Sequence, residues 1–410
     1  MKLNSISFNR ITILALIGGL MVFLLIPPIT LGIPRHYPPA KFLFVFLLLI
    51  NLDKSIFRRG NDLVLALMML FLFGYIAFKN IESTNAFGFL STFLLPLMFW
   101  ARKDYVLATF KSFTEIYAYL ILIPSVIYIL ALLGVPIPHE VETSDPDASS
   151  IIIYDVYMHI CGVVNLRFAG FFSEPGVLGT FSAALLVANQ FKLRPVVLAS
   201  LLLSGVLSFS FAFYVIIVLY VIFCSKSVKL IGGIAIIGAV LVYFFWDIFS
   251  ELILERVMFE DGDLVSNRTT RDFDAWYSHF VQTSDFWWGL GNQASIKYDE
   301  MGASYKHLIV DYGMIFFVSF TATLALYAKS CIKKLRPWIG YLIILLGILY
   351  QRPFIELHSY LFVLYASIIA IAHSTQTSNT IKYENSSIDN LSQQKRKNSG
   401  VFRKLLLSKR

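Results

Sequence analysis

The sequence predicts an all-α, polytopic integral membrane protein of about twelve transmembrane helices, and three observations carry that prediction. Of 410 residues, 57% are hydrophobic and only 15% charged, whereas in soluble domains charged residues make up about a quarter. Long apolar runs recur along the chain, and roughly 20 helical residues cross a hydrocarbon core about 30 Å thick. The lysines and arginines gather in alternate connections, as cytoplasmic loops require.

The first run, Ile11 to Ile33, is too long for a signal-peptide core and lacks a small-residue cleavage site, so it reads as a retained anchor. Further spans fall near Phe42–Leu52, Leu63–Phe78, Ala86–Trp100, Phe113–Val135 and Pro175–Gln190. The stretch from Pro195 to Cys224 is either one span or a hairpin of two short helices. Charge decides for the hairpin, with a break around Ser204–Gly205 or Ser208–Ser210. Such a break at membrane depth is tolerated where it is buried in protein or lines a cavity. The remaining spans lie near Leu230–Ile248, Leu308–Tyr327, Trp338–Tyr350 and Phe354–His373.

With twelve spans and both termini cytoplasmic, 24 of the 34 Lys and Arg residues fall inside and 10 outside. The net charge of +8 therefore reflects topology and does not signal nucleic acid. Residues 1–373 form the membrane domain; the tail 374–410 is polar and basic, and its composition predicts disorder. Cys161 is placed outside while Cys224 and Cys331 lie near the inner face, so no disulfide or metal framework is expected. Two extracytoplasmic segments stand out by length, 136–174 and 250–306, the second between the ninth and tenth spans.

That second segment holds ten acidic and five basic residues, so its arginines stand against a negative background. In SNRTTRDFDAWYSHF, Ser266 or Asn267 is suited to cap a helix, and Arg268 and Arg271 then share a face of its first turn. Arginine opposes the dipole at a helix N-terminus, a mismatch that a bound phosphate would relieve. Pairing with Asp272, Asp274 or the run Glu260–Asp263 is the structural alternative. In NLRFAGFFSEPGVLGT, Pro175 suits the first position of a helix, with Ser173 or Glu174 as its cap and Arg167 just ahead. An Arg167–Glu174 ion pair fastening loop to helix is the corresponding alternative there. Gly289-Leu290-Gly291 lacks the strand and helix of a dinucleotide site and reads as a turn. Trp276, Trp287 and Trp288 suit an interfacial belt or stacking on sugar faces. His159 and His279 have no metal-ligand spacing.

RFAGFFSEPGVLG, followed by NRTTR, FWWGLGN and SYKHLIVDYGMIFF in that order, resembles the Wzy-type O-antigen and capsular polysaccharide polymerases of the O-antigen ligase/polymerase superfamily. The likeness covers Asn165 to Phe317, with the flanks similar in hydropathy alone. It implies a metal-independent, cofactor-free glycosyltransferase of the bacterial inner membrane. Such an enzyme moves a growing glycan from undecaprenyl pyrophosphate to the next lipid-linked repeat unit at the periplasmic face. A chain-length regulator and a flippase in the same membrane are the implied partners. Breaking a sugar–pyrophosphate bond calls for fixed cations on the departing diphosphate and a base for the acceptor hydroxyl. Arg167, Arg268 and Arg271 are assigned to the diphosphate, with Arg352 in YQRPF as a fourth candidate, and Glu174, then His307 and Asp311, to the base. The ligase branch often carries a histidine about a turn earlier, where this chain has Gly302 or Ala303. Asp311, a turn beyond His307, would orient it or pair with Lys306. The alternatives are the lipid A-core ligase and a lipid-linked oligosaccharide flippase or transporter.

Overall fold

The computed structural model describes residues 2–26, 38–82, 86–142, 151–154, 160–163, 167–172, 174–225, 232–233, 243, 259–260, 263–264, 271–291, 294, 305–351 and 353–376. Helices dominate. They are α1 (Lys2–Leu24), α2 (Pro38–Ile50), α3 (Gly60–Lys79), α4 (Ala86–Leu94, continued by a 3₁₀ stretch Leu95–Trp100) and α5 (Lys103–Leu132). There follow α6 (Pro175–Ala188), α7 (Pro195–Leu207), α8 (Phe211–Phe223), α9 (Arg271–Phe280), α10 (Asp285–Trp288), α11 (Lys306–Cys331), α12 (Leu335–Gln351) and α13 over 358–376. Among them α3, α5 and α11 are each long and apolar enough to cross a membrane; α2, α6, α7, α8 and α12 are apolar but shorter.

Two expected boundaries move, and a break given two possible places falls at one of them. The helix of the first run ends at Leu24 rather than Ile33, because Pro27 and Pro28 follow and a residue before proline is pushed out of the α region. The last helix starts at 358 rather than 354, since 353–357 is held in turns by Ile355 N–H to the Pro353 carbonyl (2.8 Å) and Leu357 N–H to the Phe354 carbonyl (3.0 Å). The hairpin at Pro195–Cys224 breaks at Ser208–Ser210, where Phe209 takes φ 44°. The span expected at Leu230–Ile248 and the tail from 377 onward lie outside the described residues, apart from 232–233 and 243.

The fold is mostly helical, as expected, and the segment 136–174 adds short strands to it. It carries a four-stranded antiparallel meander in the order β1 (His139–Glu142), β2 (Ile151–Tyr154), β3 (Ile160–Val163) and β4 (Arg167–Phe168). Ile151-Ile152-Ile153-Tyr154 is a β-branched and aromatic run, the composition that favours a strand. A second hairpin pairs β5 (Phe259–Glu260) with β6 (Asp263–Leu264).

The core is centred on α6 and α13. Every residue of α6 is buried, as are 358–370 along α13, and Phe181 meets Tyr360 edge-on at 4.7 Å between centroids. Such helices are apolar all round because no face sees lipid or water. Hydroxyls join α5, α6 and α7: Tyr117 to Ser182 at 3.3 Å and Ser182 to Ser204 at 3.1 Å. Small side chains and interhelical hydroxyl bonds are how membrane helices gain contact where lipid removes the hydrophobic drive. α1 lies on α5 through Gly18 and Gly19, where an added Cβ would meet Tyr105 or the Phe113 amide at 2.7 Å.

α3 and α11 run antiparallel, joined by a polar bond near each end. The Tyr327 hydroxyl donates to Asp62 at 2.8 Å. At the other end Asn80 Nδ2 donates to the Tyr312 hydroxyl, also at 2.8 Å.

Candidate functional site

Two polar groups lie at the same end of the bundle. One stands at the entry to α6; the other lies where α3, α11 and the turn before α13 meet.

The first group is built by β4 and the turn after it. Phe168 is fully buried and stacks on Tyr128 at 5.1 Å. Its neighbour Arg167 therefore projects to the opposite side of the strand, and is half-buried. Arg167 Nε donates to the Ser208 carbonyl at 3.4 Å, at the break between α7 and α8, and the guanidinium lies within electrostatic reach of Tyr214. Gly170 then turns the chain at φ 59°, a left-handed conformation that glycine adopts without penalty. An added Cβ there would also sit 2.5 Å from Ile121 Cδ1. The turn buries Phe171 and Phe172 and delivers Glu174 as the extended N-cap, with Pro175 at the first helical position. The Glu174 carboxylate makes no capping bond to its own helix.

The second group centres on Tyr312. Its hydroxyl accepts from Asn80 and donates to Glu356 Oε1, and Asp311, buried, adjoins both. Burial pushes the Glu356 carboxyl up to about 7; the Tyr312 hydrogen bond opposes the shift and the Asp311 charge adds to it. His307 stands one turn before Asp311 on α11, partly buried.

This group is held by a kink. Gly313 in α11 has φ 87°, ψ 162° and Gly289 has φ 73°, ψ 159°, a region that is essentially glycine's alone. The Gly289–Gly291 turn docks there: Leu290 N–H donates to the Val310 carbonyl (2.8 Å) and Gly291 N–H to that of Asp311 (2.9 Å). Lys79 Nζ donates to the Gly289 carbonyl at 2.8 Å, and the Tyr75 hydroxyl donates to that of Trp288. The glycine pair is thus a turn, as its sequence context required, and its task is to fix the backbone around Asp311.

Lys306 pairs with Asp274 of α9 at 2.6 Å and lies 5.0 Å above the Tyr277 ring. The same bond engages one carboxylate set against Arg268 and Arg271 in the structural alternative. Arg271 opens α9; its side chain, Arg268, Arg352 and the cap residues Ser266 and Asn267 lie outside the described residues. Trp276 stacks on Phe280 at 5.1 Å, while Trp287 and Trp288 are exposed.

Glu356, Tyr312, Asn80 and Lys79 were missed by sequence reasoning. One signal was there to be used: Glu356 is a carboxylate at the edge of an otherwise apolar run. Among the described residues no cluster of three or more His, Cys, Asp or Glu is placed to hold a metal ion. Comparison with family models, curated proteins and solved structures gives no match.

Proposed function

We propose that the chain is a polysaccharide polymerase that transfers a growing glycan from undecaprenyl pyrophosphate to the next lipid-linked repeat unit. It would work from the inner membrane, on the extracytoplasmic face, with a chain-length regulator and a flippase as neighbours. The observation that carries the reading is the recessed pair at the entry to α6. A guanidinium and a carboxylate are delivered there by one glycine turn, against the break between two short helices.

α7 and α8, with 13 residues each, are about 20 Å long at 1.5 Å per residue, shorter than a hydrocarbon core of about 30 Å. Helices that short leave their connecting turn below the membrane surface, where a lipid diphosphate and its attached sugar sit. The roles follow from charge. Arg167, joined by Arg268, Arg271 and Arg352, balances the negative charge that grows on the departing diphosphate, and Glu174 accepts the proton of the attacking hydroxyl. Tyr312, Asp311 and Glu356 form a second polar wall at the same end, with His307 beside it. The buried carboxylates of the described residues, Asp62 and Asp311, lie near helix ends. A flippase would need charge along the spans, so this placement supports chemistry at a face over translocation.

The test is the glycan profile of cells lacking the protein: a single repeat retained on core supports the polymerase, bare core moves the reading to the ligase, and an unchanged profile removes both. Complementation with Glu174→Gln should leave single-repeat product with normal protein level. Normal chains from Glu174→Gln together with loss in Glu356→Gln would move the base to Glu356.

A further inference from the structure

An opening lies at the other end of the bundle, away from Arg167 and Tyr312. It is a cavity of about 1040 Å³ among the ends of α1, α3, α5, α11 and α13. Its cations, Arg59, Lys103, Lys111 and Lys333, face two carboxylates, Asp62 and Asp104.

Those carboxylates are already engaged. Asp62 takes Lys103 at 2.8 Å, Arg59 at 3.3 Å and the Tyr327 hydroxyl at 2.8 Å, while Asp104 pairs with Arg102. Among the described residues Lys111 and Lys333 have no carboxylate partner, and they stand on different elements of the same opening. The first turns of α3 and α5 also face it, through Gly60, Asn61 and Lys103, and neither helix carries a side-chain cap. Amides at a helix start favour an anion. Below the cations the lining is apolar, with Ile11, Leu107, Ala108, Ile369 and Ala372. The α1 wall continues into Ile13, Leu16 and Leu20, which are exposed on the outside of the bundle.

We infer that this cavity binds a phosphate-bearing amphiphile, an anionic lipid headgroup with the start of its chains. Phosphate supplies an anionic partner to the two lysines, the apolar lining takes the chains, and the exposed face of α1 gives entry from the bilayer. The volume suits it, since ligand cavities run from about 300 to 1000 Å³. The positive-inside distribution assigns this end to the cytoplasm, where juxtamembrane cations meet anionic lipid.

The experiment uses the full-length protein in neutral detergent and native mass spectrometry, with three probes: phosphatidylglycerol, phosphatidylcholine of the same chains, and inorganic pyrophosphate. Phosphatidylglycerol should bind in preference to phosphatidylcholine. Lys111→Gln/Lys333→Gln should weaken that binding about tenfold or more, two basic groups near a membrane surface being removed. Lys54→Gln/Lys192→Gln, on the same basic end but outside the cavity, should leave it unchanged. Ala108→Trp, which fills the apolar lining and keeps every charge, should also exclude the lipid. Pyrophosphate that binds alone and is lost in the lysine variant would keep the phosphate site and assign it a soluble ligand. Equal binding of the two lipids, or equal loss in the control variant, would overturn the proposal.

Discussion

At the scale of single residues, Glu356 is the group whose chemistry is most altered by its surroundings. It lies in the turn between α12 and α13, where burial lifts its carboxyl to about 7. A carboxyl raised in the folded state holds its proton there while the unfolded chain has released it. The folded protein therefore binds more protons between the ordinary carboxylate range and 7, and stability falls as pH rises through that window. From the ordinary 4.5 to about 7, the linkage amounts to about 3 kcal/mol at most, at about 1.36 kcal/mol per pH unit. Thermal unfolding of the purified protein in detergent should thus occur at higher temperature at pH 5 than at pH 8. Glu356→Gln, neutral throughout, should flatten that slope; a slope unchanged in Glu356→Gln would place its origin elsewhere. A carboxyl near 7 is also matched to proton transfer at neutral pH, which adds Glu356 to His307 and Asp311 as a proposed alternative to Glu174. The carboxylate's place at the edge of an apolar run was legible from the chain, but the upward shift of its pKa was not, because its environment is made by Tyr312 and Asp311, more than forty positions upstream.

At the scale of elements, the interlock between the Gly289–Gly291 turn and the kink of α11 decides whether the second group forms. A Cβ at Gly289 would lie 2.5 Å from the Asp311 carbonyl, and one at Gly313 would lie 2.3 Å from that of Trp287. Both glycines also hold backbone angles that cost other residues roughly 1–3 kcal/mol. Gly289→Ala and Gly313→Ala should each lower the detergent unfolding temperature and reduce folded protein in the membrane. Gly60→Ala, where nothing lies within 4 Å, should do neither, and equal behaviour of all three would dismiss the interlock. The turn itself could be read from the sequence, since glycine spacing without a flanking strand leaves little else. The docking partner could not, because Asp311 and Gly313 belong to a segment whose hydropathy describes an unbroken span. The α7–α8 break and the Pro175 helix start were readable, as serines, proline and charge balance mark them locally. The strand meander was hidden by length: 136–174 scanned as a loop because only its β-branched run betrays a strand, and pairing joins short segments across gaps.

At the scale of the whole molecule, the two bonds between α3 and α11 set a width. Asp62 and Asn80 are 18 positions apart on one axis, about 27 Å at the rise of an α-helix, which approaches a hydrocarbon core of about 30 Å. Each bond lies among charged neighbours, Arg59 and Lys103 at one end and Lys79 and Glu356 at the other. Both helices are apolar and long enough to cross a membrane. On the proposed orientation the Asp62 end lies in the cytoplasm and the Asn80 end outside, with the proposed phosphate-binding cavity inside and the proposed transferase site outside. Cysteine labelling tests the arrangement directly. With Cys161, Cys224 and Cys331 replaced by serine, Glu82→Cys just beyond α3 should react with a membrane-impermeant maleimide in intact spheroplasts. Asn61→Cys, in the first turn of α3, should react only after permeabilisation. Both positions are exposed in the fold, so failure to react from one side reports the membrane and not burial. Reaction of both from outside would deny that α3 crosses, and the reverse pattern would exchange the faces assigned to the two sites.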